Sequence, residues 1–267
     1  MHQSSDLAAA AGQTWAAVID LMASLEPDDW NRPTPCVGWT VKDVLAHLGH
    51  VEGLLVHQFA QPDPPAGWLG EGNPLDQITN QGVAARRHWS TGQVADEIER
   101  AAAATSVLLG DPELDWNQAA STPVGPAPRS VAVEMRVNDA FLHLCDVRTA
   151  IGLDIRGSSE PLGREVAIAR AVRLSPWAWA KKVEATEGQR LRLSLTGPGG
   201  VDQDIVMRDR KAVVEAHDGD AADSIRGTAL AYLLAVSGRH ALVPAGGGLI
   251  ASGEPARALL EKFRLVG

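Results

Sequence analysis

Asp139 and His143 stand four residues apart in the run Arg136-Val137-Asn138-Asp139-Ala140-Phe141-Leu142-His143-Leu144-Cys145-Asp146. On a helix that spacing places a carboxylate and an imidazole on one face, a donor pair suited to zinc or another borderline divalent cation. Taken alone, the pair also describes an ordinary i,i+4 hydrogen bond on an exposed helix. The neighbours weigh against exposure, because Val137, Ala140, Phe141, Leu144 and Val147 leave few faces for water. A buried Asp and His are costly unless paired or ligated. A second imidazole, His47, lies far upstream in Val41-Lys42-Asp43-Val44-Leu45-Ala46-His47-Leu48-Gly49-His50. If two helices bring the segments together, His47, Asp139 and His143 form a three-ligand metal site with room for a substrate.

The surrounding residues supply a supporting shell and some competitors. Asp146 lies three residues beyond His143 and Arg136 three before Asp139, so each could fix the tautomer or orientation of a ligand. For Arg136 the alternative is an intrahelical salt bridge. His47, His50 and His57 share one helix face, but His57 is about 15 Å along the axis from His47, too far to share an ion. His50 competes with His47 for the ligand role, although polar lining or surface is the plainer reading of both His50 and His57. Cys36, in the loop before the His47 helix, is expected to be a buried structural cysteine, with ligand or reactive thiol as the alternatives. Cys145 points away from the Asp139–His143 face and reads as core.

The elements that must position these groups follow from the hydrophobic period. A helix is expected from about Asp6 to Leu25, with Leu7, Ala11, Trp15, Val18 and Met22 at helical spacing. A loop rich in proline and glycine covers Glu26 to Trp39. Thr40 then offers an N-cap, with Asp43 three residues on, for a helix to about Phe59. Gln61 to Pro74 reads as another loop before a third helical region that breaks near Ser90, itself a plausible cap for Thr91 to Leu109. After a loop from Gly110 to Pro128, a fourth helix runs from about Ser130 to Ile151 and ends at Gly152. Four amphipathic helices with loops between them suggest an antiparallel bundle.

The period changes after about Asp154. Gly163 to Val183 reads as a helix, with Pro176 as a point for a kink. Arg190 to Leu195 alternates strictly, and Asp204 to Met207 and Lys211 to Ala216 also read as strands. Two final helices are expected, about Ser224 to Ser237 and Glu254 to Phe263, with Gly246-Gly247-Gly248 between them. The chain is therefore expected to be a helical bundle over 1–155 followed by a smaller α+β domain over 156–267.

A length of 267 residues allows one large or two ordinary domains. With 45% hydrophobic and 21% charged residues, a full core can form. The net charge of -9 argues against nucleic acid, whose binding needs clustered Lys and Arg. Two cysteines without a Cys-x-x-Cys spacing imply neither a disulfide framework nor a thiolate-rich metal site. The first residues lack a basic segment followed by an apolar one, and no apolar run reaches membrane-spanning length. A cytoplasmic protein without a membrane partner is expected, as monomer or homodimer.

These motifs resemble a known family. The segment Thr34-Pro35-Cys36-Val37-Gly38-Trp39-Thr40-Val41-Lys42-Asp43-Val44-Leu45-Ala46-His47-Leu48 is similar to the N-terminal signature of the mycothiol-dependent maleylpyruvate isomerases, within the DinB-like metal-binding superfamily. Asp139-x-x-x-His143-x-x-Asp146, followed by Ala150 and Gly152, resembles the second signature. Leu230-Ala231-Tyr232-Leu233-Leu234-Ala235-Val236-Ser237-Gly238-Arg239 resembles the helix and Gly-Arg ending of the family's sterol-carrier-like C-terminal domain.

The resemblance implies an all-α DinB-like four-helix bundle followed by a smaller sterol-carrier-like α+β domain. It gives His47 and His143 the places of two histidine ligands and Asp139 that of the acidic third. The isomerases proper usually carry glutamate there, and aspartate occurs in related actinobacterial metal-binding proteins, so the departure bears on the substrate more than on the metal. The implied cofactors are a divalent ion, zinc above all, and mycothiol, the low-molecular-weight thiol of actinobacteria. A metal lowers a thiol's pKa, and three protein ligands leave a position for it. The implied isomerisation is addition of thiolate to an electron-poor cis double bond, rotation, and elimination to the trans isomer. A different electrophile would make the same thiolate a transferase nucleophile.

Arg239, and behind it Arg86 and Arg87, are candidates to hold substrate carboxylates. A surface role is the favoured reading of Arg86 and Arg87 and stays an equal alternative for Arg239. Two other functions stay open: a hydrolase using metal-bound water, and a non-catalytic protein with a structural metal and an apolar ligand. A fourth protein ligand such as His50 would favour the structural site.

Overall fold

The computed structural model describes residues 4–56, 74–122, 125–156, 159–217, 221–243 and 248–265. The chain divides into two compact units, Met1–Val166 and Ala167–Gly267. The break in sequence pattern at about 155 lies in the loop that precedes the helix running through this division.

The first unit is built on α1 (Ser4–Ala23), α2 (Val41–Val56), α3 (Pro74–Arg86), α4 (Thr91–Leu109) and α5 (Arg129–Ala150). The expected loop over 61–74 and His57 lie outside the described residues apart from Pro74, which opens α3. α2 begins where side chains can satisfy its first amides. Asp43 N donates to Thr40 Oγ1 at 3.3 Å, and Thr40 N donates to Asp43 Oδ2 at 3.1 Å. Ser90 and Gln93 form the same reciprocal box at the start of α4. Such caps contribute about 1 kcal/mol each.

α5 ends in a left-handed turn. Gly152 adopts φ +79, its N–H reaches Thr149 O at 3.1 Å, and the Leu153 N–H reaches Arg148 O at 2.8 Å. Only glycine takes that backbone conformation without strain from a Cβ. Beyond the turn, Arg148 pairs with the fully buried Glu160, which ties the end of α5 to the start of α6 (Pro161–Lys181).

One core joins four of these helices. Trp15, Val18 and Leu21 from α1 pack with Val44, Leu45 and Leu48 from α2, Val94 and Ile98 from α4, and Ala140, Leu144 and Val147 from α5. Each such aliphatic side chain stabilises by about 1.5–3 kcal/mol when fully buried. α5 holds the longest unbroken buried stretch of the set among the described residues. Every residue from Val137 to Arg148 is buried, so its polar side chains must find partners inside the protein.

The loop between α4 and α5 carries a two-residue ladder that its sequence did not announce, β1 (Ala119–Ala120) against β2 (Ala127–Pro128). The segment ahead of α2 also holds a short 3-10 turn, Asp29–Asn31, which brings Trp30 into the core.

The second unit contains a five-stranded sheet in the order β5-β4-β3-β6-β7. β3 (Arg190–Thr196), β4 (Asp202–Arg208) and β5 (Lys211–Ala216) form an antiparallel meander, where the sequence places three strands. β6 (Asp223–Thr228) runs parallel to β3, and β7 (Leu249–Ser252) closes the far edge antiparallel to β6. Here one expectation is corrected. The helix expected from Ser224 begins only at α7 (Ala229–Val236), because Asp223–Thr228 is a strand. Thr228 is the real N-cap, its side chain accepting from Ala231 N at 3.2 Å. The residues before it gain a full parallel ladder on β3, with Ile225 completely buried. Pairing to a distant strand outweighs the local helical pattern. β7 was not anticipated, whereas α8 (Glu254–Lys262) falls where the periodicity places it.

Candidate functional site

The site residues of the first unit come from α2, α5 and the loop that precedes α2. His47 sits on α2 and its Nε2 lies 3.2 Å from Asp139 Oδ2. Asp139 and His143 occupy one face of α5, with His143 Nε2 3.5 Å from Asp139 Oδ1. One ligand atom from each of the three lies within 4.8 Å of the others. Donors on a single tetrahedral zinc stand about 3.4 Å apart, given metal–ligand bonds near 2.1 Å. Two imidazoles and a carboxylate at this spacing fit a borderline divalent ion.

Each of these groups is oriented by another buried side chain. His143 Nδ1 is 2.9 Å from Asp146 Oδ2, so a proton on Nδ1 leaves Nε2 facing the Asp139 carboxylate. Arg136 Nη1 donates to Asp139 Oδ2 at 2.8 Å and its Nε donates to Glu52 Oε2 at 3.1 Å. Glu52 in turn accepts from Thr105 Oγ1 at 2.5 Å, which carries the network to α4. Trp39 closes the aromatic side, its ring centroid 5.2 Å from that of His47 and 6.2 Å from that of His143. Among the described residues, His47 Nδ1 and Arg136 Nη2 are buried without a hydrogen-bond partner.

The ionisation of the cluster follows from burial and mutual charge. Burial opposes the Asp139 carboxylate, but Arg136, His47 and His143 outweigh it and hold its pKa well below the usual carboxylate range. Burial would also lower His143, yet the Asp139 charge and the hydrogen bonds of Asp146 and Cys36 raise it to about 10. In His47 desolvation prevails over the attraction of Asp139 and the pKa is lowered. The two imidazoles are thus pushed in opposite directions around one carboxylate.

The other candidates fall elsewhere. His50 is buried, and a Cβ added to Gly82 would lie 2.1 Å from its Cδ2; it is not one of the three grouped donors. Arg86, read as a surface arginine, is instead fully buried in a bidentate pair with Glu97, at 2.6 Å through both Nε and Nη2. Burial at the α3–α4 contact explains the difference, since a guanidinium there needs a carboxylate partner. Arg87 is largely exposed and reaches Asp43 at 3.4 Å. Arg239 lies in the second unit, just after α7, with Nη1 donating to Ser237 O at 3.1 Å. Cys145 is completely buried. Cys36 is only partly buried and approaches Asp146 and His143. Glu52, Thr105 and Trp39 were not singled out from sequence. Glu52 left a trace, as an acid within the otherwise apolar stretch Val51 to Val56.

Residues 11–148 match the family model for the mycothiol maleylpyruvate isomerase N-terminal domain. Two uncharacterised proteins, from two strains of Mycobacterium tuberculosis, are each 26% identical over 157 residues, covering 58% of this chain and 73% of their own length. Among solved structures, the crystal structure of the mycothiol-dependent maleylpyruvate isomerase is similar over 92% of this chain and 92% of its own, with TM-score 0.60 at 17% identity. A mutant of that isomerase with one histidine changed to alanine is similar over 94% of this chain and 93% of its own, with TM-score 0.61 at 16% identity. At such identities the structural likeness shows a common fold.

Proposed function

The chain belongs to the mycothiol maleylpyruvate isomerase N-terminal domain family, and on that premise we propose that it is a metal- and mycothiol-dependent isomerase or thiol transferase. Its substrate in this reading is a small, maleylpyruvate-like electrophile. The carrying observation is the convergence of His47, Asp139 and His143 within 4.8 Å, inside the matched segment. These three residues would hold one divalent ion, zinc by the chemistry of the donors. When bound, such an ion lowers the pKa of a coordinated thiol and supplies thiolate at neutral pH.

The chain's own residues prepare that chemistry. Asp146 keeps the proton of His143 on Nδ1, so that Nε2 is the nitrogen offered to the ion. Arg136 orients Asp139 and balances its charge, while Glu52 holds Arg136 in place. The Trp39 ring lies against both imidazoles and limits the approach of water from that side. His50 lies outside the donor group, and a group of three protein donors rather than four among the described residues supports a catalytic reading over a structural metal. Arg239 is assigned to a substrate carboxylate, through the bidentate hydrogen bonds that a guanidinium offers.

The reading also takes the first unit as a DinB-like four-helix bundle and the second as sterol-carrier-like. Its partners are the small substrate and the low-molecular-weight thiol, acting in the cytoplasm on a monomer or homodimer. Among the described residues no helix is long and apolar enough to cross a membrane.

Metal analysis of the wild type beside His47→Ala and His143→Ala, with mycothiol titrated into each, tests the assignment. One ion per chain in the wild type, lost in both variants together with thiol binding, is the expected result. Full occupancy in both variants would overturn the ligand assignment. Metal uptake by a wild type that binds no mycothiol would keep the ion and defeat the thiol chemistry.

A further inference from the structure

A second group of ligand-type atoms lies beside the first: Cys36, His143 and Asp146, with one atom from each within 4.8 Å of the others. The Cys36 thiol donates to Asp146 Oδ2 at 3.2 Å, and its Sγ is 3.8 Å from His143 Nδ1. His143 Nδ1 reaches the same carboxylate oxygen at 2.9 Å. One oxygen therefore accepts an S–H from the loop before α2 and an N–H from α5. Asp146 is completely buried, so a lost donor there is not readily replaced by bulk water.

The loop is built to hold that sulfur in place. Cys36 N donates to Thr34 Oγ1 at 3.2 Å, Trp39 N donates to Cys36 O at 3.0 Å, and Thr34 N donates to Trp39 O at 3.0 Å. The same closed turn that fixes Cys36 fixes Trp39 against the two imidazoles. A second ion on Cys36, His143 and Asp146 would displace the Nδ1–H from Asp146 and require His143 to bridge two cations. Placement of the first ion's ligand is the simpler role for the thiol.

We propose that Cys36 is a positioning residue of the metal centre: its thiol pins the Asp146 oxygen that orients His143, and so sets how firmly the ion is held. The proposal rests on the metal reading above. It also makes the centre sensitive to covalent capping of the partly buried Cys36 thiol, since the only other cysteine, Cys145, is fully buried.

The test compares wild type, Cys36→Ala, Cys36→Ser and Val37→Ala by zinc competition against a chromogenic chelator. It is paired with NMR of the His143 ring nitrogens in the metal-free proteins. Cys36→Ala should bind zinc about tenfold more weakly and should shift or broaden the His143 Nδ1 signal. Cys36→Ser, which keeps a donor, should recover most of the affinity. Val37→Ala, at the 97% exposed neighbour, should match the wild type. Treatment with methyl methanethiosulfonate should reproduce the alanine phenotype: the Cys36 sulfur bonds to the methylthio sulfur, methanesulfinate leaves, and the thiol proton passes to buffer. A thiol reductant should reverse it.

Zinc affinity within twofold of wild type in Cys36→Ala, with an unchanged His143 signal, would overturn the proposal, whether or not the variant melts earlier. Failure of Cys36→Ser to recover would overturn it as well. A wild type that takes up no zinc would overturn the metal reading and this proposal together. Normal zinc in both wild type and Cys36→Ala would remove this proposal alone.

Discussion

Asp139 lies between two imidazoles and a guanidinium, and the opposite pKa shifts of the two histidines follow from how each balances burial against that carboxylate. For His143 in the metal-free protein, burial disfavours the charge, but Asp139 and Asp146 more than compensate and the pKa rises to about 10. A raised folded-state pKa stabilises fully below the unfolded value near 6.5, and that stabilisation is lost as pH climbs from there through 10. The metal-free wild type should therefore lose stability to urea across this window, and His143→Gln should not show the same loss. Parallel slopes in the two proteins would remove the assignment. The His47 shift has the opposite sign, and its effect is confined to pH below 6.5, where protonation in the unfolded chain destabilises the fold. The i,i+4 spacing made Asp139 and His143 legible in sequence, because a helix alone fixes which side chains share a face. Glu52, Thr105 and Trp39 were not legible, since their roles arise only when α2, α4 and the preceding loop meet. Arg86 misled for a related reason: nothing local to it announces the Glu97 carboxylate across the helix pair.

Elements were readable where their signals were local and obscured where a distant partner decided. Thr40 with Asp43, and Ser90 with Gln93, announce helix starts through their own side chains. The strand Asp223–Thr228 has no such signal, because its conformation depends on the parallel ladder to β3. The turn between β4 and β5 offers a test at this scale. Asp209 and Arg210 both hold positive φ, 49 and 64, as a two-residue hairpin turn of the mirror-image type demands. Glu187 supports them by accepting from the Asp209 N–H at 3.1 Å and the Arg210 N–H at 3.3 Å. A side chain in this conformation costs about 1–2 kcal/mol, against about 0.5–1 kcal/mol for the extra unfolded-state freedom of glycine. Arg210→Gly should therefore stabilise the protein by about 0.5–1 kcal/mol, seen as a higher urea midpoint at unchanged slope. A lower midpoint would mean that the arginine makes a contact worth more than the backbone strain.

At the scale of the whole first unit, the longest unbroken buried stretch among the described residues is also a charged one. α5 carries Asp139, His143, Asp146 and Arg148 within a continuous buried stretch, an arrangement that burial alone disfavours. In the proposed reading, an ion held by His47, Asp139 and His143 offsets part of that cost and links α2 to α5 at the same time. Because an unfolded chain has no preformed site, binding to the folded state alone raises stability by about 2.7 kcal/mol when free ion stands at a hundred times its dissociation constant. Zinc should accordingly raise the thermal midpoint of the wild type, and a chelator should lower it to the metal-free value. The shift should vanish in His47→Ala and His143→Ala, measured against each variant's own metal-free midpoint so that any change in packing cancels. A zinc-dependent shift of wild-type size in both variants would place the stabilising ion away from the two helices, and the charges of α5 would then need another explanation.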